Sequence, residues 1–164
     1  MMVNTDLQNE LLQINNEWKS KSRIYGEVIE LWVENNVPCK CGGKLINQPA
    51  NQKSIDCICD KCLKNIQIKS SSKPFNVNRD KKLRILGAEY MTTLKSINKD
   101  DDWDLMLIHY NKELHKVEDL KIIESQYISA KNVIPRKPLG PNARRAGWQG
   151  CYLEFHSEVI TEII

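Results

Sequence analysis

Cysteine placement is the most direct pointer to chemistry in this chain. Cys39-x-Cys41 and Cys59-x-x-Cys62 set four thiols in two close pairs, the sequence form of a tetrahedral zinc site. The second pair has the turn spacing that lets two sulfurs grip one ion. The first is one residue tighter than the common form and is the weaker signal. Four thiolates leave no coordination position for water or substrate, so this metal is expected to be structural, stabilising only the folded arrangement. Free buried thiols are the competing reading. The other two of the six cysteines, Cys57 and Cys151, read as small buried apolar side chains.

A second constellation lies beside the first. In Asn65-Ile66-Gln67-Ile68-Lys69, strand alternation places Gln67 and Lys69 on one face and Ile66 and Ile68 on the other. If a strand carrying Asp56 pairs with this one through the cysteine turn, a carboxylate, an amide oxygen and an ammonium converge. Hydrolysis of a phosphodiester needs a cation that neutralises the phosphate and lowers the pKa of an attacking water, and magnesium takes oxygen ligands for both tasks. Asp56, the side-chain oxygen of Gln67 and the carbonyl of Ile68 are the expected magnesium ligands. Lys69 would sit where negative charge develops. The same alternation also describes any half-exposed strand.

These side chains need a scaffold, and apolar periodicity outlines one. Leu7, Leu11 and Ile14 share one helical face, and Ile24, Val28, Leu31 and Trp32 share another, with Ser22 as the expected cap of the second helix. An irregular stretch over 38–54 precedes two short strands, near 54–58 and 64–69. Leu83, Leu86, Tyr90, Leu94 and Ile97 recur at three- and four-residue steps, so one amphipathic helix is expected over 81–98, ended by Asp100-Asp101-Asp102. The run Leu105-Met106-Leu107-Ile108 suits a strand covered on both faces in mid-sheet. One or two helical turns are expected over 142–149 and a further strand over 151–155. The fold class is therefore α/β, a mixed sheet flanked by helices.

At 164 residues, with 41% apolar and 27% charged residues, the chain has the size of one globular domain. Its polar, acidic start and the lack of an apolar run approaching the ~18 residues of a membrane span lead us to expect a cytoplasmic protein, no membrane partner, and cysteines that bind metal rather than form disulfides. The net charge of +3 is modest, but its distribution is uneven. Between residues 131 and 150 there is no acidic residue, while Lys131, Arg136, Lys137, Arg144 and Arg145 are basic. Such a loop suits phosphate, through guanidinium forks and the N–H groups of a helix start. Lys81, Lys82 and Arg84 extend the track or form a solvated face.

The segment from Pro135 to Cys151, PRKPLGPNARRAGWQGC, resembles the RKPL-x-P-x-ARRAGW-x-GC segment of the DpnI-like, or Dam-replacing, family of restriction endonucleases. The likeness extends to Glu30-x-Trp32-Val33, both cysteine pairs, Asp56 with Lys69, and Gly87-Ala88-x-Tyr90-Met91, covering the chain from about Ser20 to its end. It implies a PD-(D/E)XK nuclease fold with an inserted zinc site and cleavage of double-stranded GATC sites whose adenine carries an N6-methyl group. It also implies that Asp56 and Lys69 are the metal-ligand aspartate and the lysine of the motif, and that Trp148 packs against the methyl groups. An indole face suits a methyl group in the major groove, although Trp148 also reads as a core anchor.

Three departures stand beside the likeness. Gln67 occupies the place of a glutamate, the first cysteine pair is shorter, and the chain is expected to be a single nuclease domain over 1–164, with a zinc knuckle at 39–62 and no C-terminal winged-helix domain. Two other classes remain open. A methyladenine-binding module that cannot cut would follow if Gln67 weakens the metal site. A zinc knuckle for single strands would need exposed aromatics interleaved with basic residues, whereas the four Trp and two Phe are scattered through apparent core positions.

Overall fold

The computed structural model describes residues 3–14, 21–49, 55–98 and 102–164, of 21–23 the backbone alone. The chain divides into two compact units, one formed by 1–74, 103–122 and 162–164, the other by 75–102 and 123–161. No described helix is long and apolar enough to cross a membrane.

The first unit holds helices α1 (Gln8–Gln13) and α2 (Lys21–Asn36) and strands β1 (Leu45–Asn47), β2 (Cys57–Cys59) and β3 (Asn65–Ser71). Strands β5 (Trp103–Asn111) and β6 (Lys116–Ile123) follow, and β9 (Ile160–Glu162), which enters the first unit only at Glu162, ends the series. They form a six-stranded sheet in the order β1-β2-β3-β5-β6-β9. The pairs β1–β2 and β2–β3 are antiparallel, while β3 and β5 are parallel. The sheet is thus mixed, with helices packed on it, as the α/β pattern implied.

Tyr25, Val28, Ile29, Trp32 and Val33 of α2 are buried, an apolar stripe at helical spacing. The stripe runs one step round the helix from the one expected, with Leu31 only half-buried. It packs with Leu45, Cys57, Ile66, Met106, Ile108 and Leu120 of the sheet. Trp32 Nε1 donates to the Asn4 carbonyl at 2.7 Å, so the largest fully buried side chain also has its polar atom satisfied. Ser22 lies inside α2 rather than ahead of it. Strand β5 sits in the sheet interior with Trp103 to Ile108 buried throughout, as its continuous apolar run required.

The second unit corrects one expectation. Residues 81–98 do not form a single helix: Lys82–Glu89 is strand β4 and only Tyr90–Ile97 is helix α3. Leu83 and Ile85 are buried and alternate with exposed Lys82, Arg84 and Leu86, so period two governs this stretch. Gly87 marks the change of structure. A Cβ there would lie 2.7 Å from Cys151 Sγ, and the strand register shifts between Leu86 and Glu89. Strand β4 pairs with β8 (Gly150–His156), which pairs with β7 (Val133–Pro135), giving an antiparallel sheet in the order β4-β8-β7. Cys57 and Cys151 are both fully buried. The acidic run at Asp100 and Asp101 and the strand start near Ser54 lie outside the described residues.

Candidate active site and metal centre

The cysteine pairs close on each other through two tight turns. Gly42, at φ +91°, and Gly43 accommodate the short Cys39-x-Cys41 spacing. A Cβ on Gly43 would lie 2.6 Å from Cys59 Sγ, so only glycine allows this approach. In the second turn the backbone N–H groups of Lys61 and Cys62 point at Cys59 Sγ at 3.4 and 3.5 Å. They are the chief reason that the Cys59 thiol is lowered to about 6, whereas burial pushes Cys39 up to about 12.

All four sulfurs lie within 4.8 Å of one another, with Cys39–Cys62 at 3.7 Å and Cys41–Cys59 at 3.4 Å. A tetrahedral zinc with bonds of about 2.3 Å separates its sulfurs by roughly 3.8 Å. The donor set and its dimensions therefore fit a metal ion of this kind. Just past the turn, the buried Asp104 of β5 pairs with Lys64 at 3.1 Å and ties the knuckle to the sheet.

Asp56 sits at a bend immediately before β2. Its backbone N–H donates to the Ile66 carbonyl at 2.8 Å, and its Oδ2 accepts from the Ile68 N–H at 2.6 Å. The side chain thus takes a position on β3 that a backbone carbonyl would otherwise hold. The β2–β3 ladder ends with Cys57 facing Ile66, and Asp56 lies one residue beyond it. Gln67 and Lys69 share the β3 face opposite Ile66 and Ile68. In an extended strand a residue's N–H and C=O point to the same edge, so the carbonyl of Ile68 is directed toward the Asp56 side.

Burial raises the Asp56 carboxyl above its usual value, while the Ile68 N–H and the Lys69 ammonium pull it back. The structure therefore brings Asp56, Ile68 and Lys69 together, with Gln67 the residue before Ile68 on β3.

Sequence reasoning missed one group here. Glu30 of α2 has its carboxyl raised to about 7, first by burial and then by the Asp56 and Glu27 carboxylates. Glu34, one turn further along the same helix face, accepts the Asn47 N–H at 3.0 Å, and Asn47 faces Cys57 in the β1–β2 register. The Cys57 thiol, pushed up to about 12 chiefly by burial, also feels Asp56, Glu30 and Glu34. An acidic cluster drawn from a helix and a strand bend thus surrounds this corner of the sheet. The available signal was the spacing of Glu27, Glu30 and Glu34 along one helix face.

The basic loop is held as a closed turn rather than as the helical turns expected over 142–149. Leu139 N–H donates to the Trp148 carbonyl and Gly147 N–H to the Leu139 carbonyl, both at 2.9 Å. Gly147 has φ +81°, and Gly140 with Pro141 interrupts helical continuation. No helix start is available to phosphate here, which leaves the side chains. Arg136, Lys137, Arg144 and Arg145 are exposed, and Trp148 is half-buried. Its ring lies against Gly150, where a Cβ would come within 3.0 Å, and the Arg145 guanidinium stands 4.6 Å from its centroid. The family described as DpnI: Dam-replacing family matches residues 5–160.

Proposed function

Starting from the fact that this chain belongs to the Dam-replacing family, we propose that it is a metal-dependent endonuclease directed to double-stranded DNA containing N6-methyladenine, with a structural zinc at Cys39, Cys41, Cys59 and Cys62. The observation that carries the catalytic reading is the Asp56 carboxylate, bonded to the Ile68 N–H of β3 and acted on by the Lys69 ammonium. Magnesium, when bound, supplies neutralisation of the phosphate charge and acidification of the attacking water.

Asp56, the Gln67 amide oxygen and the Ile68 carbonyl hold the ion. Lys69 stabilises the charge that develops on the phosphate and orients the nucleophilic water. Glu30 adds a second carboxylate and offsets the charge that Gln67 lacks. Two carboxylates pushed above their ordinary range by burial, Glu30 also by the Asp56 charge, fit a cation site, because a cation relieves both penalties. Arg136, Lys137, Arg144 and Arg145 bind phosphates, and Trp148 reads the methyl group.

Digestion of methylated and unmethylated plasmid, in magnesium and in manganese, tests this reading. Cutting confined to methylated DNA supports it. The neutral Gln67 favours a second reading, a methyladenine sensor, and methyl-dependent retention without cutting in either metal would decide for it.

A further inference from the structure

We propose that the open face of the β4-β8-β7 sheet is a second DNA-binding surface, one that grips the phosphodiester backbone of a duplex through Arg84 and Arg136 pivoted on Tyr152. Strand alternation buries Leu83, Ile85, Val133, Leu153 and Phe155 on one face of this sheet and leaves the other open. Across the open face, the ladder aligns Leu86, Tyr152 and Ile134 in one row and Arg84 with Glu154 in the next. Leu86 is 60% exposed.

The Tyr152 ring is the hub. The Arg84 guanidinium lies 5.1 Å from its centroid and that of Arg136 lies 5.2 Å from it. Two like charges held on one aromatic ring repel each other, and Glu154 serves only Arg84 of the two. Glu154 accepts two bonds from Arg84, at 2.8 and 3.1 Å, and pairs with Lys82 at 3.6 Å. Arg136 has no carboxylate partner among the described residues. A guanidinium held against a ring and without a carboxylate partner is preorganised for an anion.

Charge and continuity choose the occupant. The second unit contains eleven basic and eight acidic residues, so the chain's whole net charge of +3 falls in it. Arg136 also begins the basic loop: its N–H donates to the Gly150 carbonyl at 3.0 Å, and Gln149 Nε2 donates to its carbonyl at 2.9 Å. The surface therefore starts at the base of the loop proposed to read the duplex, which suits a flanking stretch of the same DNA. The inference rests on that DNA-binding reading.

The test is binding of the intact chain to a fluorescent duplex, measured by anisotropy without cleavage in calcium, over a series of salt concentrations. Each phosphate contact contributes about 0.9 to the slope of log affinity against log salt. Arg84→Gln should lower that slope by about 1, and Arg84→Gln with Arg136→Gln by about 2, equally on methylated and unmethylated duplex; the basic loop alone, which uses Arg136 but not Arg84, predicts no change in Arg84→Gln. Tyr152→Leu should weaken binding several-fold on both duplexes, and Tyr152→Phe, which keeps the ring, should restore it.

A wild-type slope in the folded Arg84→Gln variant overturns the inference while leaving intact the nuclease reading, which does not use Arg84. So does a loss seen only with single strands or anionic vesicles. Failure of the wild-type chain to bind any duplex removes both.

Discussion

The Asp56 carboxylate stands on the Ile68 N–H at 2.6 Å, so the proposed metal ligand just before β2 is fixed by the backbone of the strand that carries Lys69. Fold and chemistry thus share one oxygen, and substitutions separate the two. Asp56→Asn keeps an oxygen that accepts the Ile68 N–H but removes the negative charge. It should fold normally and lose at least about a hundredfold in cleavage rate, ~3 kcal/mol of barrier. Asp56→Ala also strands the N–H and should cost a further ~1–3 kcal/mol of stability. Chemical denaturation beside single-turnover kinetics measures both.

Glu30 gives the pH dependence. In the fold its carboxyl stands at about 7 instead of the usual 4.5, so the protonated form favours folding. The contribution of Glu30 to stability in magnesium-free protein should be complete below pH 4.5 and fade as pH rises through 7. Asp56, shifted in the same direction, reinforces the trend. Partial solvent access limits the Glu30 effect to about 1 kcal/mol, a few degrees in Tm. Glu30→Gln should flatten the profile and raise Tm near neutral pH without magnesium, yet weaken the stabilisation that magnesium brings to the wild type. Melting curves from pH 4 to 8, with and without magnesium, decide it. A variant no different from the wild type would place Glu30 outside the cation site.

The tetrathiolate predicts one zinc per chain by elemental analysis. Cys41→Ser or Cys62→Ser should release it and destabilise the protein by several kcal/mol, since the metal-binding energy is folding energy. Cys151→Ala should leave the zinc content unchanged. Cys151 lies in the other unit, where its buried sulfur contacts the Ala88 carbonyl and Thr93 Oγ1.

Local patterns made some of the structure legible and tertiary contacts hid the rest. The four thiols could be read because each turn's ligand spacing is a local property, and β5 because a strand covered on both faces is apolar at every position. The stretch 81–98 misled because Leu83, Leu86, Tyr90, Leu94 and Ile97 match a helical period while Leu83 and Ile85 also match a strand. Only the fold reveals that Leu86 is exposed and that Gly87 meets Cys151. Strand β6 escaped notice because its burial follows neither period cleanly. Glu30 was invisible as a site residue because its partner Asp56 lies on a distant stretch of chain, and only the packing of α2 beside β1 and β3 brings their charges together.

Trp148 carries the methyl-reading claim, and Arg145 stacks on its indole. Trp148→Ala should narrow the affinity gap between methylated and unmethylated duplex by several-fold, measured by competition binding. Equal loss on both would assign the ring to holding the loop.

The most direct measurement of the central claim is single-turnover cleavage of a GATC duplex bearing N6-methyladenine, in magnesium, by the wild type, Asp56→Asn and Lys69→Ala side by side. The account predicts cutting by the wild type and losses of at least about a hundredfold in both folded variants. Cutting by either variant at the wild-type rate would contradict it.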